Sequence, residues 1–132
     1  MQPILIVDDE PENLAALRQI LADERRLVFA RSGENALAAA RKHSPALILL
    51  DIQMPELDGF GVLAELPADD RPVVVFVTAY EQYAVAAFEA SATDYLLKPF
   101  DRDRLRRALQ RASVRLREKD ESRDGIQELL QQ

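Results

Sequence analysis

Five residues that can carry chemistry stand at the ends of four apolar runs. Ile4 to Val7 leads into Asp8 and Asp9, Ala46 to Leu50 into Asp51, Val73 to Val77 into Thr78, and Thr93 to Leu97 into Lys98 and then Pro99. Three carboxylates gathered in one place repel one another and raise each other's pKa, an arrangement that makes sense when a hard divalent cation neutralises them. Magnesium is the natural candidate, because it takes oxygen ligands and commonly uses only one or two protein carboxylates plus phosphate oxygen. With such a cation at Asp8, Asp9 and Asp51, the Lys98 ammonium and the Thr78 hydroxyl would face phosphoryl oxygens. Asp51 would then be equipped to accept a phosphoryl group as an aspartyl phosphate.

These side chains meet only if the runs are neighbouring strands of one parallel sheet, where ligands bind beyond the carboxyl ends of the strands. Ile4 to Val7, Ala46 to Leu50 and Val73 to Val77 are short, continuous and rich in Leu and β-branched residues, as strands buried on both faces are. Leu27 to Ala30 and Thr93 to Leu97 carry the same signal more weakly. Between them lie helical patterns: Leu14, Leu17 and Leu21; Ala36, Leu37 and Ala40; Phe60, Leu63 and Leu66; Ala84, Ala87 and Phe88; and Leu105, Ala108, Leu109, Ala112 and Leu116. Strand followed by helix, five times over, predicts a doubly wound α/β domain. Pro11 marks a helix first turn, Ser32 an N-cap, and Pro45 and Pro67 the ends of helices.

The chain has 132 residues, which predicts one domain with a sizeable core. It has no cysteine and one histidine, His43, which excludes disulfides, zinc cages and Cys/His catalysis. No run approaches the roughly 18 apolar residues of a spanning helix, and the start lacks the marks of a signal peptide, so a cytoplasmic protein without membrane attachment is expected. Residues 1–100 hold 16 acids against 8 bases, whereas 101–120 hold 4 acids against 8 bases. An acidic body argues against tight nucleic-acid binding by this chain. The apolar pattern breaks from Glu118 onward, so 1–118 is expected to be the domain and 119–132 a linker or frayed helix.

Taken singly, each candidate has a plainer explanation. Asp9 could cap the helix that begins at Pro11, and Thr78 could form a capping box with Glu81. Lys98 could be a surface lysine, and Asp51 could open a turn. Their joint occurrence at successive strand ends is what those explanations leave unaccounted for.

The segments ILIVDDEP, LILLDIQMPELDGFG, VVFVTAY and DYLLKPF resemble the signature segments of the receiver domain of bacterial two-component response regulators, over about residues 3 to 117. The resemblance implies a flavodoxin-like, CheY-like sheet of five parallel strands in order 2-1-3-4-5 with five helices. It makes Asp51 the phosphoacceptor, and Asp9, Asp8 and the backbone carbonyl of Gln53 the further ligands of Mg2+. Thr78, Lys98 and the backbone N–H groups of Ile52 and Ala79 would contact the phosphoryl group. Pro99 would follow a cis peptide bond, and Gly59 would supply backbone freedom. Thr78 and Tyr95 would be the switch pair, Tyr95 turning inward as Thr78 moves. Gln53 and Tyr80 would flank the route of hydrolytic water.

Those family properties imply a sensor histidine kinase as partner. The output face would comprise the fourth helix, fifth strand and fifth helix, roughly Gln82 to Leu116. The stretch VTAYEQYAVAAFEASATDYLLKPFDRDRL is similar to receivers that precede LytTR-type DNA-binding domains, the LytR/AlgR regulators. DNA would then be met only through an output domain outside this chain. A homodimer could use the output face, with arginines of the last helix meeting Glu81, Glu89 or Asp94 of a second copy. Two other Asp or phosphate chemistries fit poorly. A haloacid-dehalogenase-like phosphatase expects an acid where Gln53 stands, and Asp8, Asp9 and Glu10 would repel a flavin phosphate. The remaining rival is a stand-alone receiver acting as a relay or protein-binding switch.

Overall fold

The computed structural model describes residues 2–21, 26–67, 71–90 and 92–130, with backbone alone for 120–128. Strands β1 (Ile4–Val7), β2 (Leu27–Ala30), β3 (Leu47–Asp51), β4 (Val73–Thr78) and β5 (Asp94–Leu97) alternate with helices α1 (Pro11–Ile20), α2 (Gly33–His43), α3 (Gly59–Glu65), α4 (Ala84–Glu89) and α5 (Arg102–Leu130). All pairings are parallel and the order is β2-β1-β3-β4-β5. The fold is therefore the doubly wound sheet that the alternating patterns predict.

The period of two within each strand divides the core between two layers. Leu5, Val7, Ile48, Leu50, Val74 and Phe76 point to one face, where Leu37 of α2, Val62 of α3 and Ala87 of α4 cover them. Ile4, Ile6, Leu47, Leu49, Val75 and Leu96 point to the other, under Leu14 and Leu17 of α1 and Leu105 and Ala108 of α5. Each fully buried Leu, Ile or Phe contributes on the order of 1.5–3 kcal/mol. β2 and β5 sit at the sheet edges and are only partly buried, which is why their sequence signal is weaker.

Local chemistry sets the ends of the elements. The Ser32 hydroxyl accepts from Asn35 N–H at the start of α2, and α2 closes on Ser44 in a left-handed conformation. Asp9 does not cap α1: the N-cap is Glu10, without a side-chain cap, and its N–H donates to Asp8 at 2.9 Å. Thr78 forms no capping box with Glu81 either, because its hydroxyl accepts from Tyr80 N–H, and a 3-10 turn, Glu81–Tyr83, then leads into α4.

Of the two alternatives expected for 119–132, a linker or a frayed helix, the structure has the helix: α5 runs on as one helix of 29 residues to Leu130. A lone Gly125 costs about 1 kcal/mol, which strong helix formers around it offset. What stops is the sheet beneath: Ala112 is the last buried residue of α5 among the described side chains, and Leu129 and Leu130 are exposed. Gln131 and Gln132 lie outside the described residues.

A charged clasp fixes α5 to β5. Arg104 donates twice to the Asp94 carboxylate and once to the Tyr95 carbonyl, and Arg111 reaches Asp94 at 3.1 Å. Asp94 is thus engaged within its own chain. Burial alone would raise its pKa, but the hydrogen bonds from Arg104 and from Tyr95 N–H outweigh that and hold it below the usual carboxylate range. A depressed carboxylate pKa stabilises the fold above the ordinary value and loses that contribution as pH falls through the lowered one. Asp94→Asn is expected to destabilise the chain by about 1–3 kcal/mol at pH 7. In urea titrations at several pH values the difference should shrink as pH falls through the lowered carboxylate pKa; equal stability at pH 7 would refute the clasp.

Candidate functional site

The register of the sheet assembles the site. Val7 pairs with Leu50, Asp51 with Val77, and Thr78 with Leu97. Asp8, Asp51, Thr78 and Lys98 are therefore the residues at or just past one edge of four adjacent strands. Asp51 is the last residue of β3 itself, and Asp8, Asp51 and Thr78 are the buried polar residues of the core. The space above them is an open cleft of about 740 Å³, bordered by Asp9, Asp51, Gln53, Thr78, Tyr80 and Lys98.

One oxygen from each of Asp8, Asp9 and Asp51 lies within 4.8 Å of the other two. The Lys98 ammonium reaches into the group, 2.9 Å from Asp8 and 3.8 Å from Asp51. Burial pushes the Asp51 carboxyl up to about 7; Lys98 opposes this, and the charges of Asp8 and Asp9 add to it. Burial also favours neutral Lys98, yet its hydrogen bond to Asp8 and the charges of Asp51, Asp8 and Glu10 outweigh that and raise its pKa. One ammonium thus compensates the acids only in part, and an all-oxygen donor set of this charge fits a hard divalent cation.

Backbone contacts hold the acceptor in place. A Cβ at Gly59 would lie 2.6 Å from the Asp51 carbonyl oxygen, and Gly59 N–H donates to Ile52 C=O at 2.8 Å. Glycine is required here by this close approach, not by the backbone freedom expected for it, since no described glycine has positive φ. The strand-ending peptide Lys98–Pro99 is cis.

Two readings from sequence need correction or extension. Ile52 N–H is committed to the Val77 carbonyl at 3.0 Å as a sheet hydrogen bond, so it does not serve the cleft as expected. The next N–H, that of Gln53, donates to the Asp51 carboxylate. Ala79 and Tyr80 border the cleft as expected, and Tyr80 is 47% exposed. Tyr95 is partly buried, with its hydroxyl donating to the Tyr80 carbonyl. Tyr83 was missed: its hydroxyl accepts from the Gln53 side-chain amide at 3.1 Å. No local pattern marks a contact between residues 30 positions apart.

A family model described as the response regulator receiver domain matches residues 4–110. The chain is 42% identical over 114 residues to the transcriptional regulatory protein BtsR of Salmonella typhi, covering 84% of this chain and 48% of that protein. It thus spans about half the length of the curated relatives it matches. Among solved structures, NtrX from Brucella abortus is 34% identical with a TM-score of 0.84, covering 94% of this chain and 30% of that one. TrrA from Thermotoga maritima, in complex with Mg2+-BeF, is 31% identical with a TM-score of 0.76, covering 85% and 99%.

The raised Asp51 pKa has a thermodynamic consequence. A carboxyl whose folded pKa lies above its unfolded value makes the metal-free fold less stable as pH rises between the two, here from roughly 4 to 7. A divalent cation at these acids would bind the ionised form and reverse the loss. Mg2+ should therefore raise the melting temperature clearly at pH 8 and little at pH 5. Asp51→Asn should raise the metal-free melting temperature at pH 8. Equal Mg2+ shifts at both pH values, or a destabilised Asp51→Asn, would contradict this electrostatic picture.

Proposed function

Because the chain belongs to the response regulator receiver domain family, we propose that Asp51 takes a phosphoryl group from a sensor histidine kinase. The observation that carries the reading is the cluster of Asp8, Asp9 and Asp51 with Lys98 at one sheet edge. In the transfer, an Asp51 carboxylate oxygen forms the new bond to phosphorus. The P–N bond to the kinase histidine breaks, and its electron pair goes to the ring nitrogen. Asp8, Asp9, Asp51 and the Gln53 carbonyl would hold Mg2+, which supplies positive charge opposite the phosphoryl oxygens. Lys98 would exchange part of its contact with Asp8 and Asp51 for a phosphoryl oxygen. The Thr78 hydroxyl and the N–H groups of Gln53 and Ala79 would contact the others. The chain would catalyse its own phosphorylation and dephosphorylation without being an enzyme in the ordinary sense.

The switch follows from what Thr78 and Tyr95 touch. Thr78 would turn toward the phosphoryl group and release Tyr80 N–H, while Tyr95, tied to the Tyr80 carbonyl, would follow the same segment. The Tyr80 ring would obstruct water at the mouth of the cleft. Charge at Asp51 would thereby bias the α4, β5 and α5 face. That face exposes Val85 and Phe88, 69% and 83% accessible. A homodimer through it would draw its affinity from these apolar side chains, because exposed ion pairs contribute only about 0–1 kcal/mol.

On this reading the chain is the receiver part, residues 1–118, of a cytoplasmic transcription regulator, with residues 119–132 leading toward an output domain. The resemblance of AVAAFE and DYLLKPF to LytR/AlgR receivers favours a LytTR-type DNA-binding domain. BtsR is named a transcriptional regulatory protein, and the chain covers 48% of it, which supports an output domain beyond the receiver. A stand-alone relay is the second reading, and the length of the native reading frame separates the two.

Incubation with acetyl phosphate and Mg2+ should add the mass of one phosphoryl group to the chain. Removing the metal or making Asp51→Asn should abolish the gain; modification of Asp51→Asn to the same extent would reject the assignment. Sedimentation with beryllofluoride and Mg2+ should show a dimer that Phe88→Ala weakens at least several-fold. A monomer under all conditions would remove the pairing claim.

A further inference from the structure

The mouth of the cleft holds a contact that the transfer chemistry leaves unused. Gln53 serves Asp51 through its backbone, yet its exposed side chain turns away to Tyr83, 30 positions on, at 3.1 Å. Tyr83 is a fixed acceptor. Its ring packs on Phe60, with centroids 6.2 Å apart, and Phe60 packs on fully buried Phe76 at 4.9 Å. Its other edge meets the Tyr80 ring at 6.3 Å and 87°. A row of rings therefore runs from the core to the cleft mouth and ends in a hydroxyl that holds the Gln53 amide.

From this geometry we propose that Tyr83 is a positioning residue: its hydroxyl latches Gln53 across the mouth of the Asp51 cleft and so sets how long a phosphoryl group on Asp51 survives. The inference rests on the reading of Asp51 as phosphoacceptor. Gln53, Tyr80 and Tyr83 all border the opening through which water must enter. A free glutamine side chain samples many rotamers, and holding it in one costs conformational entropy. A hydroxyl already immobilised by ring packing offsets that cost, as preorganised partners do. Without the hydroxyl the amide leaves its place and the opening widens. The latch also joins the β3–α3 loop to the segment before α4, which Tyr95 grips from the other side through the Tyr80 carbonyl. Phosphate lifetime and the switch would thus share one short segment.

Tyr83→Phe keeps the ring and removes the acceptor, so it separates latching from packing. Wild type, Tyr83→Phe, Gln53→Ala and the double variant are phosphorylated with acetyl phosphate and Mg2+, the donor is removed, and loss of the added mass is followed. Tyr83→Phe should speed the loss about three- to tenfold, the range expected for one net hydrogen bond. Adding it to Gln53→Ala should change nothing further. Independently, NMR of the metal-free, unphosphorylated chain should show Gln53 side-chain amide resonances displaced from free-amide positions in wild type and returned to them in Tyr83→Phe. Equal rates for wild type and Tyr83→Phe, additive effects in the double variant, or a free Gln53 amide in wild type would each overturn the latch. Failure of wild type to take up any phosphoryl group would overturn the reading of Asp51 itself, and the latch with it.

Discussion

Three carboxylates with oxygens within 4.8 Å of one another, two of them on buried residues, cannot all remain ionised without compensating positive charge. Lys98 supplies part of it, held 2.9 Å from Asp8 at the end of an edge strand. Everything else in the site follows from that balance. Asp51 stands at the boundary of ionisation near neutral pH because burial and its neighbours oppose Lys98. A divalent cation or a phosphoryl group bound there would change the same balance.

The sheet makes this proximity possible at little structural cost. Acids placed inside a core would need partners on every side, but at the carboxyl edge of parallel strands they are buried laterally and open toward solvent. The apolar strands behind them and the helices on both faces hold four strand ends in register. Gly59 then lets the next loop press against the Asp51 carbonyl, where a side chain would not fit. The Asp94 clasp with Arg104 and Arg111 fixes α5 against β5 on the face distant from these acids in sequence but next to Tyr95.

Much of this was legible in the sequence because it depends on local rules. Buried parallel strands read as continuous apolar runs, and the residue after each run must lie at the carboxyl edge; Asp8, Asp51, Thr78 and Lys98 follow from that. The capping explanations do not hold because α1 starts one residue later than a cap at Asp9 requires, with Glu10 as its N-cap, and because the Thr78 hydroxyl accepts from Tyr80 N–H rather than from Glu81, choices that propensity does not specify. Ile52 was misassigned because pleat and register decide which of two successive N–H groups joins the ladder and which faces Asp51. The Gln53–Tyr83 contact and the intramolecular use of Asp94 are tertiary pairings between residues 30 and 10 to 17 positions apart, beyond any local pattern. The choice between linker and helix after residue 118 is not legible in the sequence, because apolar periodicity reports packing, and a helix that outruns its sheet loses the periodicity without losing the helix.

The central claim is that, of the clustered acids, Asp51 alone forms the bond to phosphorus. Borohydride reduces an acyl phosphate to the alcohol, converting an aspartyl phosphate to homoserine. Treating the chain with acetyl phosphate, Mg2+ and then borohydride, followed by peptide mapping, reads the acceptor directly. Homoserine at position 51 alone is the predicted result; homoserine at Asp8 or Asp9, or at none of the three, would contradict the account.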